Sequence, residues 1–438
     1  MAAQRNPCIL FLALAAAALA SPGAAFAGWT RSYAVEWNEP AMYYGGQGGP
    51  VDPGTDCPKG ANPDPDWLAV LVKAGYKPEA AKWLLDPGNM DIPRRERVNQ
   101  MAFRGKDRAN VYVDPTSTPD PGFVEVEGKI AEGLNLDGDP RTGFTSPTGE
   151  KGIDNNFYKA LGCWKYLRGL TRRQQGTEGP NVFVQDGAWT LVLVVSGQGD
   201  DPMNDNDVRV GLYMSYDKLV KSGAGAGAHE VAHDYTFRIR PHATYEAIFK
   251  GKIADGRITT EPNPRIVMRD AFYGLGLELL QARLDFRTLP DGGLKGYIAG
   301  YRPWAAIHDN FMIVSGTTVE SYDGIQLPAL WYVLRRNADY SPTGPGGEKT
   351  HISFALRVDA VPAYVTDPDG NGLIAAVESF KSRAPRDEPL ISYPRGGRPI
   401  VNGLYTEPGK IPQPMTFEEI EAHLAARPKR AAANDGSQ

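Results

Sequence analysis

Cysteine is scarce in this chain, with three among 438 residues, and histidine is only twice as common, with six. Cys8 lies in an apolar leader, so Cys57 and Cys163 are the pair that remains, and neither stands in a C-x-x-C or C-x-x-C-H setting. That excludes haem attachment and thioredoxin-type redox chemistry. There is no G-x-S-x-G nucleophile elbow and no P-loop. Gly45-Gly-Gln-Gly-Gly49 lacks the strand before and the helix after that a dinucleotide fingerprint requires. The formal net charge is -5 and the basic residues are scattered rather than striped, which argues against a nucleic-acid partner. Past the leader no apolar run reaches the roughly 20 residues that cross a bilayer as a helix, so no transmembrane segment is expected in the mature chain.

What is present begins with that leader. Arg5, the apolar run Ile9 to Ala20 and the small-x-small site Ala25-Phe26-Ala27 have the layout of a signal peptide over residues 1–27. The mature chain is expected to start at Gly28 and to work in the periplasm or outside the cell. In an oxidising compartment Cys57 and Cys163 are expected to form a disulfide. Closing a loop of over 100 residues would stabilise the fold by about 4 kcal/mol in the chain-entropy treatment.

With 36 prolines and 49 glycines the chain is loop-rich, and the expected fold class is mainly β. Residues 28–110 read as a small helical or irregular N-terminal region, with Pro78 to Leu85 a helix opened by proline and stopped at Pro87-Gly88. Residues 111–302 read as a β-sandwich-like domain, a sandwich or barrel of short strands. The runs that suggest it are Val111 to Val113, Phe123 to Ile130, Trp189 to Val195, Val208 to Met214, Tyr235 to Arg240, Tyr245 to Lys252, Arg257 to Glu261 and Gln281 to Arg287. Ala254-Asp-Gly256 and Pro290-Asp-Gly-Gly293 are hairpin turns between them. Residues 303–427 form a mixed α/β region, with a helix at Pro328 to Arg336, a strand at Ile352 to Val358 and a capping box at Thr416 to Glu419. Residues 428–438 form a tail expected to be disordered.

The segment Asp367-Pro-Asp369-Gly-Asn371-Gly372-Leu373-Ile374-Ala-Ala-Val-Glu378 fits the pattern D-x-[DN]-x-[DN]-G-x5-E without exception. Calcium needs six to eight oxygens. Asp367, Asp369 and Asn371 supply side-chain oxygens, Leu373 a backbone carbonyl, Ala375 a water contact and Glu378 the closing bidentate carboxylate. Gly372 is expected to make the sharp turn. Ile374 to Arg383 is a plausible helix after the loop, whereas Val358 to Val365 leads into it as a strand. The loop therefore resembles the dockerin or extracellular EF-hand-like kind, with calcium as a structural staple.

His229-Glu230-Val-Ala-His233 matches the zincin signature, in which two histidines one helical turn apart bind zinc and the glutamate activates water. The glycine-rich Ser222 to Ala228 is a poor helix former, however, and Tyr235 to Arg240 reads as a strand. Ile239 stands where a third histidine ligand would be, leaving His242, Glu246 and Glu278 at unfamiliar spacings. A surface hairpin is the preferred reading. Asn135-Leu-Asp137-Gly-Asp139 with Asp154, and Asp200 to Asp207, are acidic clusters suited to Asx turns or to a second calcium.

Gly133-Leu-Asn-Leu-Asp137-Gly, Gly149 to Asn155, Ala160-Leu-Gly-Cys163 and Asp56-Cys-Pro-Lys-Gly60 resemble an uncharacterised family of exported bacterial proteins over much of residues 50 to 365. That resemblance implies an exported β-rich fold and assigns no catalytic residue. The functional expectation is an exported calcium-binding module of the cell envelope, leaning away from catalysis, with a carbohydrate or envelope polymer as ligand. The alternative is a zinc-dependent hydrolase using His229, His233 and Glu230.

Overall fold

The computed structural model describes residues 28–43, 56–89, 100–168, 181–182, 184–186, 190–221, 231–269, 276–313, 320–321, 323–386, 400–401, 404–405 and 414–426. The leader, the C-terminal tail, His229 and Glu230 lie outside them. Among the described residues no helix is long and apolar enough to cross a membrane.

The main strands are β1 (Trp29–Pro40), β4 (Thr190–Gly197), β5 (Asp205–Ser215), β6 (Tyr235–Arg240), β7 (Ala247–Ala254), β8 (Arg257–Thr260), β9 (Asn263–Arg269), β10 (Gly276–Thr288), β11 (Leu294–Pro303) and β12 (His351–Thr366). A small hairpin, β2 (Phe144–Thr145) and β3 (Lys151–Ile153), precedes β4 in the chain. Helices are α1 (Trp67–Lys73), α2 (Pro78–Leu85), α3 (Asn156–Leu161), α4 (Trp304–Ile313), α5 (Leu327–Arg336) and α6 (Phe417–Ala426).

Eight of the strands close on themselves in the order β1-β4-β5-β7-β8-β10-β11-β12, with β12 returning to β1, and every pairing round the ring is antiparallel. The mainly β expectation holds, and the closed sheet is a barrel rather than a sandwich. Closure removes the unpaired edges that an open sheet would expose. It also joins the first and last thirds of the chain to the middle, because β1 and β12 are both staves. Divisions at residues 110 and 302 therefore do not separate independent sheets.

β4 is buried at every position, since both faces are covered. Leu191, Leu193 and Val195 pack into the main core, while Val192 and Val194 pack outward beneath β6 and the segment around Ile374 to Phe380. Its unbroken Leu-Val-Leu-Val-Val run is what two buried faces demand. β6 pairs antiparallel with β5 and parallel with β12, forming a flap over this side of the ring. At one end α3, α4 and α5 cap the core, where Phe157 meets Phe354 edge-on with centroids 4.9 Å apart. α1, α2 and α6 form a separate apolar cluster, so the last helix packs on the N-terminal ones.

Two expected strands are not strands. Residues 111–113 form a turn, and 123–130 carry no ladder apart from one isolated bridge at Ile130. The backbone of the latter segment is held by loop and helix carbonyls instead: Val126 N donates to Lys159 O, and Glu127 N to Asp56 O. The Cys57–Cys163 disulfide is formed, with Cα atoms 5.7 Å apart, and both residues are buried. Beside it Arg168 donates to Asp56 Oδ2 at 2.7 Å, also fully buried.

Candidate functional site at the barrel mouth

The start of β1, the ends of β4 and β10, the starts of β5 and β11 and the point where β12 leaves the ring lie together at one end of the barrel, its mouth, above a filled core. A cleft of about 1380 Å³ lies there. The β10–β11 turn forms one rim: Leu289 N donates to Gly293 O at 2.8 Å, and Gly292 N to Leu289 O at 3.0 Å. Gly292 takes a φ of 85°, which a side chain would strain. The β4–β5 loop forms another, anchored where Met203 O accepts from Gly256 N at 3.0 Å. Asp205 ties this loop to β1 by accepting from Trp29 Nε1 at 3.0 Å and Gly199 N at 2.8 Å. Burial pushes the Asp205 pKa up, but hydrogen bonds from the Asp207 and Gly199 amides and Trp29 outweigh it and hold the carboxyl below its usual range.

The cleft wall mixes apolar and polar surface. Tyr364 is 48% exposed, Leu373 66% and Met203 36%. Arg31, Asp291, His233 and Glu378 stand beside them. Two motifs far apart in sequence thus border one cleft, the second histidine of His229–His233 and the end of the Asp367–Glu378 loop.

His233 is exposed on a turn, not on a helix. Val231 makes an isolated bridge with Lys221, Asp234 has a φ of 59°, and Asp234 N donates to Pro362 O at 2.8 Å, delivering the chain to β6. The other candidate zinc ligands are engaged elsewhere. His242 Nδ1 accepts from Thr244 N at 3.0 Å and Tyr245 N at 3.1 Å. Glu246 binds Ser379 Oγ and Phe380 N, and Glu278 pairs with Arg265.

The Asp367–Glu378 loop is a tight turn off β12. Asp367 N donates to Gly372 O at 3.0 Å, and Ile374 N to Val365 O at 3.2 Å. The left-handed residue is Gly370, with φ 78°, in place of the expected Gly372. Asp367 Oδ1 accepts from Asn371 N at 3.0 Å and Asp369 N at 2.9 Å, and these amides hold its carboxyl below the usual range. Asp369 pairs with Arg383, Glu378 Oε1 accepts from Ala375 N at 2.9 Å, and Ile374 lies in the outer core. The expected helix from 374 to 383 is absent; a single 3-10 turn, Lys381–Arg383, takes its place. Among the described residues no group of three or more His, Cys, Asp or Glu converges as a metal shell. In this arrangement Asp369 spends one oxygen on Arg383 and Glu378 one on the Ala375 amide, and each carboxylate keeps lone pairs that a cation could use.

The other acidic clusters make Asx turns. Asn135 Oδ1 accepts from Gly138 N, Asp137 Oδ1 from Asp139 N and Asp201 Oδ1 from Met203 N. Arg31, Asp291 and Tyr364 were invisible as site residues in the sequence; the only signal was Tyr364, an aromatic in a strand otherwise built for burial.

No family model, curated protein or solved structure matches this chain.

Proposed function

We propose that this protein is an exported binding or structural module of the cell envelope whose barrel-mouth cleft takes a carbohydrate or related envelope polymer. The observation that carries the proposal is the cleft wall, where exposed Tyr364, Leu373 and Met203 lie beside Arg31, Asp291 and Glu378. Sugar rings offer apolar faces edged by hydroxyls, and an exposed aromatic flanked by charged hydrogen-bonding groups serves both. The buried Cys57–Cys163 bridge supports export, since such bonds persist in oxidising compartments. The signal-peptide layout of residues 1–27 and the resemblance of Gly133 to Gly138, Gly149 to Asn155 and Ala160 to Cys163 to exported bacterial proteins support it further. Calcium has a place in this reading as a staple of the rim, taken up by Asp367, Asp369, Asn371, Leu373 and Glu378.

A zinc-dependent hydrolase is the second reading, favoured by one observation: His233 is exposed on the wall of the same cleft. Co-sedimentation with purified cell-wall material and insoluble neutral glucans tests the first. The wild-type chain is expected to pellet with at least one polymer, unchanged in length, and Tyr364→Ala to stay in the supernatant. Equal pelleting of the two proteins counts against the cleft, and shortening of the polymer that is lost in Glu230→Gln selects the hydrolase.

A further inference from the structure

The outer face of β8, β10 and β11 carries a row of cations that barrel packing does not require. At paired positions Arg257 faces Arg287, and Arg287 faces Lys295. Like charges directly opposite on neighbouring strands are destabilising. Arg283 joins the same face of β10. These residues line two adjoining grooves of about 440 Å³ and 370 Å³ that share Gly133, Leu134, Glu150, Arg257 and Asp285.

The cations are unevenly neutralised. Arg257 pairs with Asp285 at 2.6 Å and Glu150 at 2.9 Å. Lys295 reaches Asp359 only at 3.8 Å. Arg283 Nη1 donates to Asn135 O at 2.8 Å, but its buried Nε has no partner. Arg287 is exposed and makes no ion pair or side-chain hydrogen bond among the described residues.

We infer that the groove is a second ligand site, for a carboxylated polysaccharide. Arg283 and Arg287 stand four residues apart on one strand, roughly 13 Å at strand rise, and Arg283 is held at Asn135 O while Arg287 is exposed, so an extended ligand with several charges engages both where they stand. Glu150 and Asp285 stand among the cations and accept from Arg257, and in the proposed complex their remaining lone pairs would take ligand hydroxyls. They would repel the continuous phosphates of a nucleic acid. Tyr297 closes one side, its hydroxyl donating to Glu132 Oε2 at 3.0 Å. The site is separate from the barrel mouth and stands without it.

The test is calorimetric titration of the full chain with an oligogalacturonate, a neutral oligosaccharide and single-stranded DNA of similar length. In a Tyr364→Ala background, which removes binding at the barrel mouth, only the oligogalacturonate is expected to bind measurably, more weakly at high salt because exposed charges are screened. Arg283→Ala and Arg287→Ala are each expected to weaken it roughly tenfold or more, the scale of a charge-assisted hydrogen bond. Tyr364→Ala should leave it unchanged. Arg287 is exposed, so its replacement leaves the fold intact, as matching melting curves would verify. Equal affinity when Arg287→Ala is added, loss of oligogalacturonate binding in Tyr364→Ala alone, or tighter binding of DNA or of the neutral sugar in the Tyr364→Ala background overturns the assignment.

Discussion

Arg383 Nη2 lies 2.8 Å from Asp369 Oδ2, so the third position of the calcium motif is tied to a guanidinium fourteen residues downstream. Both side chains are largely exposed, at 44% and 59%. Such pairs are worth about 0–1 kcal/mol. Arg383→Ala is therefore expected to raise calcium affinity by up to about fivefold, whereas Glu378→Gln should abolish binding. Terbium luminescence or calcium titration reads both, and identical affinity in Arg383→Ala and wild type would show that the pair does not compete with the ion.

Buried charge gives a larger effect. Arg357 joins Glu39 at 2.6 Å and Glu132 at 2.5 Å across β12, β1 and the 132 segment, and Glu39 also accepts from Trp37 Nε1 at 3.0 Å. Glu39 is fully buried, so Arg357→Met removes a counter-charge from a desolvated carboxylate. The expected loss is about 3–5 kcal/mol in urea unfolding. Adding Glu39→Gln should recover part of it, and no recovery would place the cost in packing instead.

Burial raises the Asp154 pKa to about 6, against the lowering effect of the Asp137 and Leu136 amides that its Oδ2 accepts at 3.1 Å and 2.7 Å. An acid whose folded pKa is raised binds more protons folded than unfolded. Its contribution is then present at low pH and is lost as pH rises from about 4 to about 6. Asp154→Asn should flatten that part of the stability curve relative to wild type, read as urea midpoints at pH 4.5 and 7. Parallel curves for the two proteins would refute the assignment.

The disulfide links the loop after β1 to the end of α3. Replacing Cys57 and Cys163 together by alanine is expected to cost about 2–5 kcal/mol and to lower the melting temperature by several degrees. An unchanged midpoint would mean that buried Arg168–Asp56 packing alone holds this corner.

Local chemistry made much of the barrel legible. β4, β5, β6, β8 and β12 coincide with β-branched runs, β7 with a run holding one isoleucine, and β10 with strict polar–apolar alternation from Gln281 to Arg287. Asp255 and Gly256 take φ values of 47° and 74°, the left-handed pair that an Asp-Gly hairpin turn needs. The Thr416–Glu419 capping box is bonded both ways, at 2.7 Å and 3.1 Å. What local signals could not convey was closure. β1 pairs Ser32 with Ala363 and Thr30 with Ser196, and nothing near Trp29–Pro40 announces partners so distant. Val111 and Val126 are buried, yet other segments' carbonyls hold their backbones, so burial was read as strand. In the Asp367–Glu378 loop the residue types were legible, but the partners that occupy them were not, because Arg383 reaches Asp369 only through the fold. The shared cleft was hidden for the same reason.

The most direct test of a binding cleft at the barrel mouth is amide hydrogen exchange with and without a soluble oligosaccharide of the polymer that sediments the protein. Protection confined to the β10–β11 turn, residues 288–293, and to 362–378 is the predicted result, and it should vanish in Tyr364→Ala. Bound ligand that leaves both segments exchanging at their free rates would contradict the assignment of this cleft.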